Sequence, residues 1–155
     1  MRSVVVVLLL VGVLTGCTDS GRRDGTGACL LDATEVAGII HAKVEAGSPS
    51  SGMRPTPGLA LCTYSTDAPF GEVTVAVQRP GQTAFREAES GARLRATVSP
   101  PFASLDALGD GAFSIGGTVH VLQQDSHLTV AAQNPTDAFV PVARQLAKQA
   151  LRNLA

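Results

Sequence analysis

Val36, Ile39, Ile40 and Val44 recur at the spacing of one helix face, behind Asp32 and Glu35 at the N-cap and third helical position of a capping box. Gly47 closes this predicted helix, and Ser48 to Gly58, rich in Pro, Gly and Ser, reads as a surface loop. Leu59 to Ser65 and Val73 to Gln78 then read as a hairpin across the turn-forming stretch Thr66 to Gly71. In the second of these strands Val73, Val75 and Val77 share one face and Thr74, Ala76 and Gln78 the other, the period-two pattern of a half-buried sheet.

The pattern is weaker in the middle of the chain. Gln82 to Ser90 predicts a short helix closed by Gly91, and Arg93 to Val98 a strand ended by Ser99-Pro100-Pro101. Ala112 to Ile115 follows the turn Gly109-Asp110-Gly111 as another strand. Thr118 to Gln124 and His127 to Gln133 form the clearest hairpin, with its turn at Asp125-Ser126. After Asn134-Pro135, a stripe of Phe139, Val142, Ala143, Leu146, Ala147, Ala150, Leu151 and Leu154 predicts a final helix with one wide apolar face. Together these elements predict an α+β domain, a single antiparallel sheet with helices packed on one face.

The first residues carry a different signal. Arg2 precedes an apolar run from Val4 to Leu14, which ends in Leu14-Thr15-Gly16-Cys17. A charged start, a short apolar centre and small residues before a cut make an export signal. Eleven apolar residues fall short of the roughly 20 that span a bilayer. The Leu-Thr-Gly-Cys ending matches the lipobox of bacterial lipoproteins, which implies diacylglycerol on the Cys17 thiol and cleavage before it. Residues 1–16 are therefore expected to be a signal peptide, 17–27 a lipidated flexible tether and 28–155 the folded domain. Acyl chains on Cys17 and its new amino end would meet the two-signal requirement for stable anchoring.

Removal of residues 1–16 from the 155 leaves 139, the size of one ordinary domain. The removed segment holds one basic and no acidic residue, so the net charge moves from −1 to −2. That balance offers no electrostatic footprint for nucleic acid, and the scarcity of aromatics offers no platform for stacking bases. Cys29 and Cys62 remain as an even pair in an exported chain and read as a disulfide.

Candidate chemistry is sparse. Asp106 and Asp110 flank Leu108 as raw material for acid–base work, but the Gly-Asp-Gly setting favours a carboxylate bonded to its own turn. His120 and His127 invite a metal. With the turn at 125–126, Gln124 pairs with His127 and His120 stands opposite Ala131, so the imidazoles share a face but lie ~13 Å apart along it. Joint ligation at zinc–nitrogen distances of about 2 Å is then excluded, and no metal site or cofactor is expected. Val119, Val121, Leu128 and Val130 fall on the opposite face as core. No nucleophile elbow, Walker loop or His-Glu-x-x-His occurs.

Cys29-Leu30-Leu31-Asp32, Glu35-Val36, Cys62-x-Tyr64 and Leu108-Gly109-Asp110-Gly111-Ala112-Phe113, followed by a Val-rich hairpin and an Ala/Leu helix, resemble a family of actinobacterial lipoproteins carrying a domain of unknown function. Similar patterns occur in some extracellular sensor domains of bacterial receptor kinases. The resemblance covers residues 28–154 and implies an α+β fold, the Cys29–Cys62 bridge and a cell-envelope position, with no catalytic residues. The expected function is a non-enzymatic binding or interaction module, lipid-anchored through Cys17 on the extracytoplasmic face of the cell membrane, with a protein or small apolar ligand as partner. Two alternatives stay open: a carrier of an apolar ligand, and an envelope hydrolase or accessory subunit using Asp106, Asp110, His120 or His127.

Overall fold

The computed structural model describes residues 29–49, 56–96 and 101–154. The expected signal peptide, the tether and the lipidation site Cys17 lie outside the described residues.

Local chemistry sets the first element. Asp32 accepts from the Glu35 N–H at 2.7 Å, and the Glu35 carboxylate accepts from the Asp32 N–H at 2.9 Å, the reciprocal capping box the sequence predicts. Helix α1 (Ala33–Ile40) is shorter than expected, because His41 turns left-handed at φ 54 and closes it. Residues after His41 run instead beside the sheet: Glu45 N–H donates to Ser65 O, and Val44 bridges Thr66. Gly47 is no helix stop. A Cβ there would lie 2.5 Å from Tyr64 Cε1, so only glycine lets the chain pass the ring.

Part of the predicted loop is a short edge strand, β1 (Ser48–Pro49), paired with β2 (Leu59–Tyr64). Strand β3 (Val73–Gln78) pairs with β2 as the hairpin pattern demands. Helix α2 (Gln82–Arg95) runs through Gly91 and takes up residues expected to begin a strand. A Cβ at Gly91 meets nothing within 4 Å, so neither a tight turn nor a close contact makes it a terminator. The remaining strands are β4 (Phe102–Ser104), β5 (Gly111–Ile115), β6 (Thr118–Gln123) and β7 (Ser126–Ala132). A 3-10 turn (Asp137–Phe139) leads into α3 (Val140–Leu154), with Pro141 in the first turn, where its missing N–H has no helical partner to lose.

The fold is α+β. One seven-stranded antiparallel sheet has the order β1-β2-β3-β7-β6-β5-β4. Val73, Val75, Val77, Val119, Val121, Leu128 and Val130 project from one face onto α1 and α3. Val36, Ala143, Leu146, Ala147 and Ala150 close on them with no accessible surface. Each fully buried Val or Leu contributes roughly 1.5–3 kcal/mol, which makes this face the principal source of stability. Tyr64 is buried in the same core and donates its hydroxyl hydrogen to Leu31 O at 2.6 Å. Helix α2 lies across the opposite face, where Phe85 and Ala92 pack on Phe113.

Cys29 and Cys62 are bonded at an S–S distance of 2.03 Å, joining the segment before α1 to the core face of β2. At the other end of the chain, Asn153 Nδ2 donates to Leu30 O at 2.7 Å and Gln149 Nε2 to Glu35 Oε1 at 2.8 Å. The start of the domain is thus tied to both β2 and the end of α3.

Candidate functional site

The β6–β7 turn is Gln124-Asp125, one residue earlier than expected, with Gln124 at φ 54 and Gln123 paired to Ser126. His127 therefore stands opposite Leu122, and His120 opposite Thr129. This corrects the sequence-based separation of ~13 Å. His120 Nδ1 and His127 Nε2 are 3.1 Å apart. Moving a hairpin turn by one residue moves the pairing by two, so the side chains keep their faces while their neighbours change. The expectation that both imidazoles share a face, with the valines and Leu128 opposite, stands.

Four rings from four successive strands form a ladder under α2. Phe102 stacks on Phe113 at 5.4 Å between centroids and Phe113 on His120 at 4.6 Å, while His120 and His127 meet edge to edge through their facing nitrogens, 5.3 Å between centroids. These spacings follow the ~4.8 Å distance between neighbouring strands. Phe85 of α2 meets His127 edge-on at 5.6 Å, and Arg93 places its guanidinium 4.4 Å over Phe102. Thr129 Oγ1 lies 3.4 Å from both His120 Nδ1 and His127 Nε2. Sequence reasoning did not single out Thr129, Phe85 or Phe113 here; strand register brings Thr129 and Phe113 to the histidines, and the packing of α2 brings Phe85.

Burial, followed by the charges of His127 and Arg95, lowers the His120 imidazole from 6.5 to about 4. His127, with 8% of its surface exposed, is lowered by burial as well. Both rings are neutral at neutral pH. One of the two facing nitrogens carries the shared proton and the other accepts it.

Asp106 and Asp110 do not join this cluster. Asp110 accepts from the Gln124 N–H through Oδ2, and its own N–H donates to Leu122 O at 2.7 Å, which clamps the turn to the β6–β7 hairpin. At Asp106 the backbone carbonyl accepts from Arg144 Nη2 at 3.0 Å. Among the described residues, neither carboxylate is hydrogen-bonded to a histidine. No group of three or more His, Cys, Asp and Glu side chains converges among them, and no described helix is long and apolar enough to cross a membrane.

A shallow depression open to solvent lies between the end of α1 and the β2–β3 connection, lined by Ile40, His41, Lys43, Asp67 and Phe70 among others. Asp67 Oδ1 accepts from the Lys43 N–H at 2.9 Å, and Phe70 packs on Phe139 at 4.9 Å between centroids, so its rim is fixed by the main fold. Comparisons with family models, curated proteins and solved structures return no match.

Proposed function

We propose that this protein is a lipid-anchored, extracytoplasmic binding or interaction module of the cell envelope, of the kind represented by the actinobacterial lipoproteins it resembles. The observation that carries this reading is the division of its cysteines. Of three, Cys29 and Cys62 are joined within the domain, which suits an oxidising compartment and leaves Cys17 as the sulfur for lipid. Ten residues of small and polar character, Thr18 to Gly27, separate that cysteine from the domain.

The non-enzymatic part of the reading rests on how the candidate groups are engaged. Asp110 is committed to a turn, and the histidine pair is built into a ring ladder with Phe85 and Phe113 against it. Val119, Val121, Leu128 and Val130 meet Ala143, Leu146, Ala147 and Ala150 with no accessible surface on either side. A void wide enough for water would leave accessible surface on its lining. The filled interface favours an outward-facing binding surface over an internal apolar cargo.

The test is to express the chain in an actinobacterial host and follow it between membrane and soluble fractions. The native chain should stay with the membrane, and its amino-terminal peptide should carry the mass of a diacylglyceryl cysteine at residue 17. Cys17→Ala should move the protein out of the membrane fraction. An unmodified Cys17 in membrane-associated native protein, or turnover of peptidoglycan, ester or phosphate substrates by the purified chain, would overturn the reading.

A further inference from the structure

We propose that the outward face of α3 is a docking surface for an anionic lipid bilayer, the membrane to which Cys17 ties the domain. The proposal rests on the lipid-anchored reading of Cys17 and adds how the domain sits once it is anchored. Arg144, Lys148 and Arg152 follow one another at four-residue spacing along α3, and the helix contains no Asp or Glu. Residues four apart are neighbours on a helix surface, so the three cations form one stripe about 12 Å long. Lys148 and Arg152 are exposed and Arg144 is half-buried, while Ala143, Leu146, Ala147 and Ala150 take the side that faces the sheet.

Folding does not account for this pattern. Arg152 lies in the last turn, where a cation suits the helix dipole, but Arg144 and Lys148 stand in earlier turns, where that effect has faded. Both arginines are held by neutral partners. Arg144 Nη2 donates to Asp106 O at 3.0 Å and Arg152 to the Gln149 side chain, so neither bond cancels a charge. Glu35 of α1 reaches the flank of α3, where its carboxylate accepts from Gln149 and Asn153. Arg93 and Glu89, which do form an ion pair, belong to α2 on the other side of the sheet.

The start of the domain decides which surface the stripe meets. Asn153, next to Arg152, donates to Leu30 O at 2.7 Å, so the basic end of α3 lies beside the point where the described chain begins. Eleven residues, Thr18 to Ala28, separate that point from Cys17, a reach of at most about 40 Å. Helix α3 has 15 residues and is about 22 Å long, so it can lie flat on the bilayer within that reach. Each cation brought to an anionic lipid surface raises the docked population on the order of fivefold, and three raise it about a hundredfold before salt screening. An acidic polymer in solution would meet the same charges, but the anchor holds the stripe beside lipid at all times.

Lys43 and Lys148 are the two lysines of the chain, which supplies a built-in comparison. The full-length chain is coupled through the Cys17 thiol to maleimide-bearing lipid in vesicles, and the reaction of each lysine with an amine reagent is followed by mass spectrometry. On vesicles of mixed phosphatidylglycerol and phosphatidylcholine, Lys148 should react at least about tenfold more slowly than on phosphatidylcholine alone, and Lys43 should change less than about twofold. Salt at about 1 M should abolish the protection. Arg144→Gln combined with Arg152→Gln, both on the outer side of the helix, should reduce it to about fivefold or less. Equal labelling of Lys148 on the two vesicle types overturns the proposal, as does protection shared equally by Lys43, protection that survives high salt, or equal protection by soluble polyglutamate. The attachment is made chemically, so these failures are distinct from an unmodified Cys17 in the native protein, which would overturn the anchor.

Discussion

His120 and His127 touch because the β6–β7 turn falls at Gln124-Asp125, with Gln124 in the left-handed position. Had the turn fallen one residue later, His120 would face Ala131 and the pair would be separated by four residues of strand. The contact brings two bases together in a site that burial keeps uncharged.

A stability loss in mild acid follows. The His120 pKa is about 4 in the folded chain against 6.5 unfolded, so below pH 6.5 the unfolded state takes up the proton first. Stability is intact above about pH 6.5 and falls as the pH drops toward 4. At 1.36 kcal/mol per pKa unit the His120 contribution to the loss is about 3 kcal/mol, and His127, lowered by burial, adds to it in the same direction. Urea denaturation at pH 7.5, 6, 5 and 4 checks this. His120→Gln should be less stable at neutral pH but show a flatter slope over the same range. An equal slope in both proteins would place the acid sensitivity elsewhere.

The bridge between Cys29 and Cys62 spans 33 positions. Closing a loop of that length in the unfolded chain is worth roughly 3–4 kcal/mol in the chain-entropy account. Replacing both cysteines by serine should lower the free energy of unfolding by that amount, read from urea denaturation, while leaving the far-ultraviolet spectrum folded at low temperature. The bridge also holds Leu30 and Leu31 beside Asn153 and Tyr64, so local hydrogen exchange should rise first at those two amides.

Glycines at two helix ends proposed from sequence divide sharply in the structure. Gly47→Ala would drive a Cβ to 2.5 Å from Tyr64 Cε1 and 3.0 Å from Cys29 Sγ, both fixed in the core, and should cost about 1–3 kcal/mol. Gly91→Ala places its Cβ in open space inside α2 and should stabilise by about 0.5–1 kcal/mol. Thermal denaturation of the two variants should therefore shift in opposite directions.

Those same positions show which parts of the fold the sequence could convey. Asp32 and Glu35 signal a helix start because both partners of the cap lie three residues apart, and the valines of β3, β6 and β7 declare a buried face by their alternation. These are local patterns and they were legible. Gly47 and Gly91 carry the residue type of a terminator. Only the tertiary contact with Tyr64, or its absence, decides what each glycine does. The disulfide was legible from the even pair of cysteines left once Cys17 is assigned to an export signal. The histidine contact was not, since it depends on a turn whose left-handed residue is a glutamine, a choice no propensity would single out.

Phe85 links the two sides of the ring ladder, lying 5.4 Å from Phe113 and 5.6 Å from His127 between centroids. Truncation to alanine removes the largest apolar side chain that α2 lays on this face and should cost about 3–5 kcal/mol. It should also admit water to His127. Because burial is what lowers that imidazole, its pKa must rise toward 6.5 in the variant, and His120, coupled to it through the 3.1 Å contact, should follow. Nuclear magnetic resonance titration of the two ring signals measures both effects under conditions where the variant is still folded. Loss of stability with both imidazoles still titrating at their original positions would mean that α2 packs on Phe113 without shielding the pair.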